Sequence, residues 1–313
     1  MPTRVATRAA TTDLAAAAAL WGGMYVVSAE TFAAIPPATL SLLRLAIGVA
    51  ALAAVALLRG ESLGWAKAPK GAVVRAAFAV AASILMQFGG TSLTSAVEGS
   101  VVTMATPVFV LIFGWTLEGI RVPRQAWFGI GLAALGVGTL ALRSGSGATD
   151  LAGPDSAHLL GILMLIGAGA TWALFSSFGR PVIAAVGARN AATLCAGLAI
   201  PMMVPFAAAE LATSGVDLAA ATTPAALLAV AYLGFGATSL GWSSWYRGYA
   251  AAPPRLAAGV LFLQPLVAAA LGVGLLHESL DGGLAVGAIF LLAGVGLISF
   301  ERVSIAKRNH VGS

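Results

Sequence analysis

Long apolar runs alternate with short polar or proline-marked breaks from one end of the chain to the other. Ten runs can be drawn, at 13–30, 36–59, 71–93, 96–118, 124–143, 157–179, 187–212, 222–247, 254–278 and 281–300. Each approaches the roughly 20 residues that a helix needs to cross a ~30 Å hydrocarbon layer. Lipid offers no partner to a free backbone amide, and the runs are too long and too continuous for barrel strands, so each predicts a membrane-spanning helix. Pro36-Pro37, Pro69, Pro123, Pro224 and Pro253-Pro254 fall at the breaks, where proline starts or stops a helix.

The pattern then repeats. An offset of 158 brings Val102 onto Val260, Pro107 onto Pro265, Gly114 onto Gly272, Leu117 onto Leu275, Gly129 onto Gly287, and the triplet Gly136-Val137-Gly138 onto Gly294-Val295-Gly296. Five of these coincidences involve Pro or a Gly that carries backbone information, in one ungapped register. They predict a duplicated unit: a first five-helix repeat at 13–143, an external linker at 144–156, a second repeat at 157–300 and a tail at 301–313. Five crossings per copy send the second copy into the membrane from the opposite side. The expected fold is therefore all-α, with ten transmembrane helices arranged as two inverted five-helix repeats around a central cavity, an architecture shared by many secondary transporters.

Composition and charge agree with this organisation. Of 313 residues 59% are hydrophobic and 9% charged, with a mean hydropathy of +0.94, where soluble domains carry about 25% charged residues. With the N-terminus placed in the cytoplasm, fifteen of the seventeen Lys and Arg fall on the cytoplasmic side. Only Arg143 lies opposite, and Arg44 lies within a span. That bias predicts cytoplasmic N- and C-termini. It also accounts for a pI near 9.9 without nucleic acid, leaving membrane lipid and a small-molecule substrate as partners. The single Cys195 excludes an intrachain disulfide.

Several polar and aromatic residues fall at depth. Pro107 and Pro265 sit midway along the fourth and ninth spans, where each frees a carbonyl; both are expected to be hinges or cavity walls. Tyr232, Phe235, Ser239, Trp242, Ser243 and Tyr246 share one face of a regular helix in the eighth span. Trp21 and Trp172 occupy the centres of the first and sixth spans, far from the interface that indoles prefer, with Tyr25, Phe175 and Ser176 one turn on. Gln87, Thr103, Thr106 and Gln264 are further polar groups at depth, and Thr106 and Gln264 each precede a repeated proline. Arg44 is expected to meet an anionic substrate group or to pair with an acid such as Glu98 or Glu30; a structural or gating ion pair is the reading preferred here. Glu118, His277, Glu278 and Asp281 at helix ends suit solvated or capping roles. No phosphate-binding loop, metal-ligand cluster or paired catalytic carboxylate occurs. No catalytic residue, metal or cofactor is therefore assigned, and no enzyme is expected.

LWGGMYV (20–26), Arg44, the prolines of the fourth and ninth spans, TWALFSS (171–177), YLGFGATSLGWSSWY (232–246), LLHESL (275–280) and the two Gly-Val-Gly triplets resemble the drug/metabolite transporter superfamily, and within it the EamA-type exporters. The resemblance runs nearly the whole length, although Glu118 stands eleven residues before Gly129 whereas Glu278 stands nine before Gly287. It implies a ten-helix exporter of metabolites in a bacterial inner membrane. Within that group the chain is similar to exporters of aromatic amino acids. Alternating access would then carry the substrate. Trp21, Tyr25, Trp172, Phe175, Trp242 and Tyr246 would pack its side chain; Gln87, Thr103, Thr106, Ser239, Ser243 and Gln264 would meet its polar end. Lacking a carboxylate at mid-depth, the chain fits downhill movement better than proton exchange. A carrier of sugar phosphates or nucleotide sugars, and a membrane scaffold or sensor that moves nothing, are the alternatives.

Overall fold

The structure is a computed structural model that describes residues 4–119, 122–142, 154–251 and 254–300. Most of the linker at 144–156 and all of the tail at 301–313 lie outside the described residues. The first half runs α1 (Arg4–Thr31), α2 (Pro37–Leu58), α3 (Lys70–Leu93), the broken pair α4 (Ala96–Thr103) and α5 (Thr106–Glu118), and α6 (Arg124–Leu142). The second half runs α7 (Pro154–Val186), α8 (Ala188–Ser214), a single turn α9 (Leu218–Ala221), then α10 (Pro224–Ala231), a π-helical segment (Tyr232–Leu240) and α11 (Gly241–Ala251) as one crossing. The broken pair α12 (Pro254–Leu261) and α13 (Leu263–Leu276) follows, and α14 (Gly282–Phe300) ends the half. Among the described residues nine stretches are long and apolar enough to cross a membrane. The remaining long helix, α1, is diluted by Trp21, Gly22, Gly23, Ser28 and Glu30. It is enclosed by α4, α11, α12, α13 and the π segment, so lipid does not demand a wholly apolar surface of it.

Two ends run beyond the expected spans. α1 begins at Arg4 and α7 continues through Pro181 to Val186. Hydropathy reports the thickness of the bilayer, whereas a helix of 33 residues is about 50 Å long and projects past it.

The packing has the symmetry of an inverted repeat. α6 and α14 coincide under the offset of 158, and they cross at backbone contact. A Cβ placed on Gly129 would lie 2.8 Å from the carbonyl oxygen of Gly294, and one on Gly136 would lie 2.6 Å from that of Gly287. Numbers rise along one helix as they fall along the other, so the two are antiparallel, and the offset converts each contact into the other. A twofold axis between the helices is the arrangement that does this. The other contacts pair off in the same way. α3 packs on α7 as α1 packs on α11 and the π segment; α5 packs on α7 as α13 packs on α1; and α3 packs on α8 as the π segment packs on α2. The close approach on α14 uses Gly287 and Gly294, seven residues apart and therefore on one face.

Both copies also break in the same place. At the first break Met104 and Ala105 donate to Val101 and Val102, three residues back, before α5 begins one residue ahead of Pro107. At the second, Phe262 donates to Gly259 and α13 begins two residues ahead of Pro265. Each proline therefore opens a new helix, where its missing N–H is no loss, instead of bending a continuous one. The two helices end alike, with Gly119 (φ 67°) and His277 (φ 54°) in the left-handed conformation, again 158 apart.

Gly136→Ala is expected to lower the melting temperature in detergent, because overpacking a tight crossing costs about 1–3 kcal/mol. Gly131→Ala on the same helix, where an added Cβ meets nothing within 4 Å, should leave it unchanged or raise it. Equal behaviour of the two variants would contradict the packing.

Candidate functional site

Four of the expected site residues meet at one hydroxyl. Tyr25 is 1% exposed, and its oxygen lies 2.5 Å from Thr103 Oγ1. Gln87 Nε2 donates to it at 2.6 Å and Gln264 Nε2 at 3.5 Å. Thr103 Oγ1 in turn donates to Gly99 O at 2.8 Å. A phenol has one proton and two acceptor positions, so Tyr25 donates to Thr103 and accepts from both amides, and the hydroxyl is fully used. The partners come from α1, α3, α4 and α13, so both halves contribute. Gly22 lets α13 come this close to α1: a Cβ there would fall 2.5 Å from the backbone oxygen of Gln264.

The aromatic residues gather next to this cluster. Trp172 lies 5.2 Å from Phe175 and 6.2 Å from Trp242, centroid to centroid, spacings at which edge-to-face ring pairs attract. Tyr246 packs on the same core at half burial. Trp21 borders both the ring cluster and the core that holds Tyr25, and its indole N–H donates to Ala237 O at 3.0 Å.

That bond accounts for the π segment, which hydropathy along the chain does not signal. In an α-helix Ala237 O would accept from the Gly241 N–H. Here Gly241 N–H turns to Gly236 O, five residues back, and to Thr238 O, three back, while Thr238 Oγ1 donates five residues back to Leu233 O at 2.8 Å. The widened turn leaves Ala237 O to Trp21. It also shifts the phase of the helix, so the single face drawn from Tyr232 to Tyr246 divides. Phe235 is 52% exposed on the outer surface, Tyr232 donates to Leu20 O, and Ser239 and Trp242 turn inward to burial. Ser243 is half-buried.

The other expected site residues find partners apart from that hydroxyl. Thr106 Oγ1 donates to Thr103 O at 2.7 Å, filling the acceptor that Pro107 leaves without a donor. Ser176 is exposed, and its hydroxyl returns to Trp172 O on its own helix. Arg44 is buried, with its Nε on Thr238 Oγ1 at 3.2 Å and its guanidinium over the Phe88 ring at 4.9 Å. Glu98, one of the acids considered for it, bonds His158 Nε2 at 3.0 Å instead.

On the face that carries the α1–α2 turn, carboxylates of the second half cap helices of the first. Glu278 accepts from the Ala96 and Val97 amides at 2.7 and 3.0 Å, and Glu210 from those of Ala38 and Thr39 at 2.9 and 2.8 Å. Negative charge at a helix N-terminus is favourable, and here it joins the halves. The capping role expected of Glu278 is realised across the repeat; that of Glu210 carried no signal in the sequence beyond a lone acid near a helix end.

An inverted-repeat bundle with a polar and aromatic centre built from both halves is the form of a membrane transporter. The chain belongs to the EamA-like transporter family, whose model matches residues 14–142 and 159–300, one match in each repeat. It is 29% identical over 271 residues to YedA of Escherichia coli K12, described as an uncharacterized inner membrane transporter, covering 84% of this chain and 81% of that one. It is 26% identical over 206 residues to a probable amino-acid metabolite efflux pump of Salmonella typhimurium LT2, covering 63% and 64%. A solved structure shares the fold with a TM-score of 0.64 at 20% identity, across 97% of this chain and 99% of its own. The protein is thus a multi-pass membrane transporter of small molecules, which sets aside the scaffold or sensor reading.

Tyr25→Phe would strip three partners of the hydroxyl they share. The expected cost is about 1–3 kcal/mol, read as a lower melting temperature in detergent, and Gln87→Leu added to it should cost less than the sum of the two. An unaltered melting temperature would mean that the cluster is not bonded as described.

Proposed function

We propose that the protein exports amino acids, aromatic ones foremost, from the bacterial cytoplasm by alternating access, with both termini cytoplasmic. The observation that carries this reading is the adjacency of the Tyr25 cluster and the Trp172–Phe175–Trp242 rings, with Trp21 bordering both. An aromatic amino acid has the same two-part character: a ring that gains by packing on rings, and an amine and a carboxylate that need polar partners. The relative described as a probable amino-acid metabolite efflux pump supports the substrate class, and the inner-membrane relative supports the location. The charge asymmetry supports the orientation. Pro107 and Pro265 remain the natural hinges, since each stands at a break where three-residue hydrogen bonds replace the helical ladder. Among the described residues no carboxylate bonds to the Tyr25 cluster, which supports downhill movement.

Proteoliposomes loaded with radiolabelled phenylalanine, tryptophan or threonine should release the two aromatic substrates faster. Trp172→Ala should raise their half-saturation concentrations by roughly threefold to tenfold, the worth of one ring contact, with a smaller effect on threonine. Equal indifference to all three substrates, with movement of a sugar phosphate instead, would overturn the assignment.

A further inference from the structure

Among the described residues nothing balances the charge that Arg44 bears. It is 3% exposed, and its partners are the Thr238 hydroxyl, the Met24 sulfur and the Phe88 ring, all of them neutral. Among the described residues no carboxylate pairs with it, and Nη2 has no hydrogen-bond partner. Burial of an uncompensated guanidinium is strongly unfavourable, so a cation kept at this depth implies a counter-charge that comes and goes.

A second orphan stands beside it. Ser41 is 0% exposed, and its hydroxyl has no partner, although a helical serine ordinarily bonds the carbonyl four residues back. Three residues separate it from Arg44, which places the two on one side of α2. A forked guanidinium with free donors and a spare hydroxyl match the two oxygens of a carboxylate. The location fits as well. Met24 and Phe88, which hold the guanidinium, are the chain neighbours of Tyr25 and Gln87, whose side chains form the polar cluster.

We propose that Arg44, assisted by Ser41, receives the carboxylate of the transported molecule, so that the site selects substrates with one anionic end and rejects the matching amides and amines. This deepens the amino acid reading and rests on it. The Thr238 hydroxyl holds the guanidinium until a substrate oxygen takes its place.

The test uses the full chain in proteoliposomes, with L-phenylalanine, 3-phenylpropanoate (no amine) and L-phenylalaninamide (no carboxylate) as competing solutes. The two carboxylates are expected to bind at least about tenfold better than the amide, the worth of a charged hydrogen-bonded pair. Arg44→Gln should erase that preference while the ligand-free melting temperature holds or rises, because a neutral side chain removes an unbalanced charge. Should that variant fail to fold, Ser41→Ala should narrow the same preference. Amide and amino acid binding equally well would overturn the role of Arg44 and leave the amino acid reading intact. Binding of 3-phenylpropanoate alone would uphold Arg44 and overturn that reading; binding of none would overturn both. A preference kept in Arg44→Gln, with a much lower melting temperature, would make Arg44 a structural cation.

Discussion

Two helices can cross at backbone distance only where neither presents a side chain, and the crossing of α6 and α14 is the contact on which the rest of the architecture depends. Its four glycines are equivalent in pairs, so one sequence element, used twice, meets itself across a twofold axis. Once that axis is set, the remaining neighbours follow: what α3 is to α7, the eighth crossing is to α1. The duplication visible as matched prolines and glycines is thus a description of the interface, since each position that must be small in one copy must be small in the other.

The centre is where the two copies stop agreeing. Thr106 and Gln264 occupy equivalent places, yet the threonine is consumed by its own backbone while the glutamine crosses to Tyr25. Trp21 and Trp172 are also equivalent, 151 residues apart. Trp172 enters a ring cluster, whereas Trp21 spends its N–H on a carbonyl that the π segment leaves free. At that same spacing Arg44 stands opposite Cys195, a buried thiol, so the intramembrane charge belongs to one copy alone. A symmetric scaffold lets two orientations of the bundle have similar energies. An asymmetric lining would give a molecule held there one way to lie.

The division between what the sequence disclosed and what it withheld has a physical basis. Spans and repeat are written in bulk hydropathy and in proline and glycine, each of which acts locally and leaves a local trace. The polar residues at depth were legible for the same reason: an amide in hydrocarbon must have a partner, and Gln87 and Gln264 found the same one. Phe235 lies off the expected face because a helical face is drawn by counting residues per turn. The π segment changes that count in response to an indole more than 200 positions away in the chain. Arg44 shows the converse case. The expectation of an acid partner came from the cost of isolation, and the cost is real, but the neighbours it received are a hydroxyl, a sulfur and a ring.

The capping of α2 and α4 by Glu210 and Glu278 has a consequence for how this face holds together. An apolar seal opens only against the whole area it buries, whereas a carboxylate on a helix end can be exchanged bond for bond with water: the freed amides and the freed oxygens are both solvated at once. Such a fastening resists opening through geometry more than through energy. Its loss would leave the helices it joins intact.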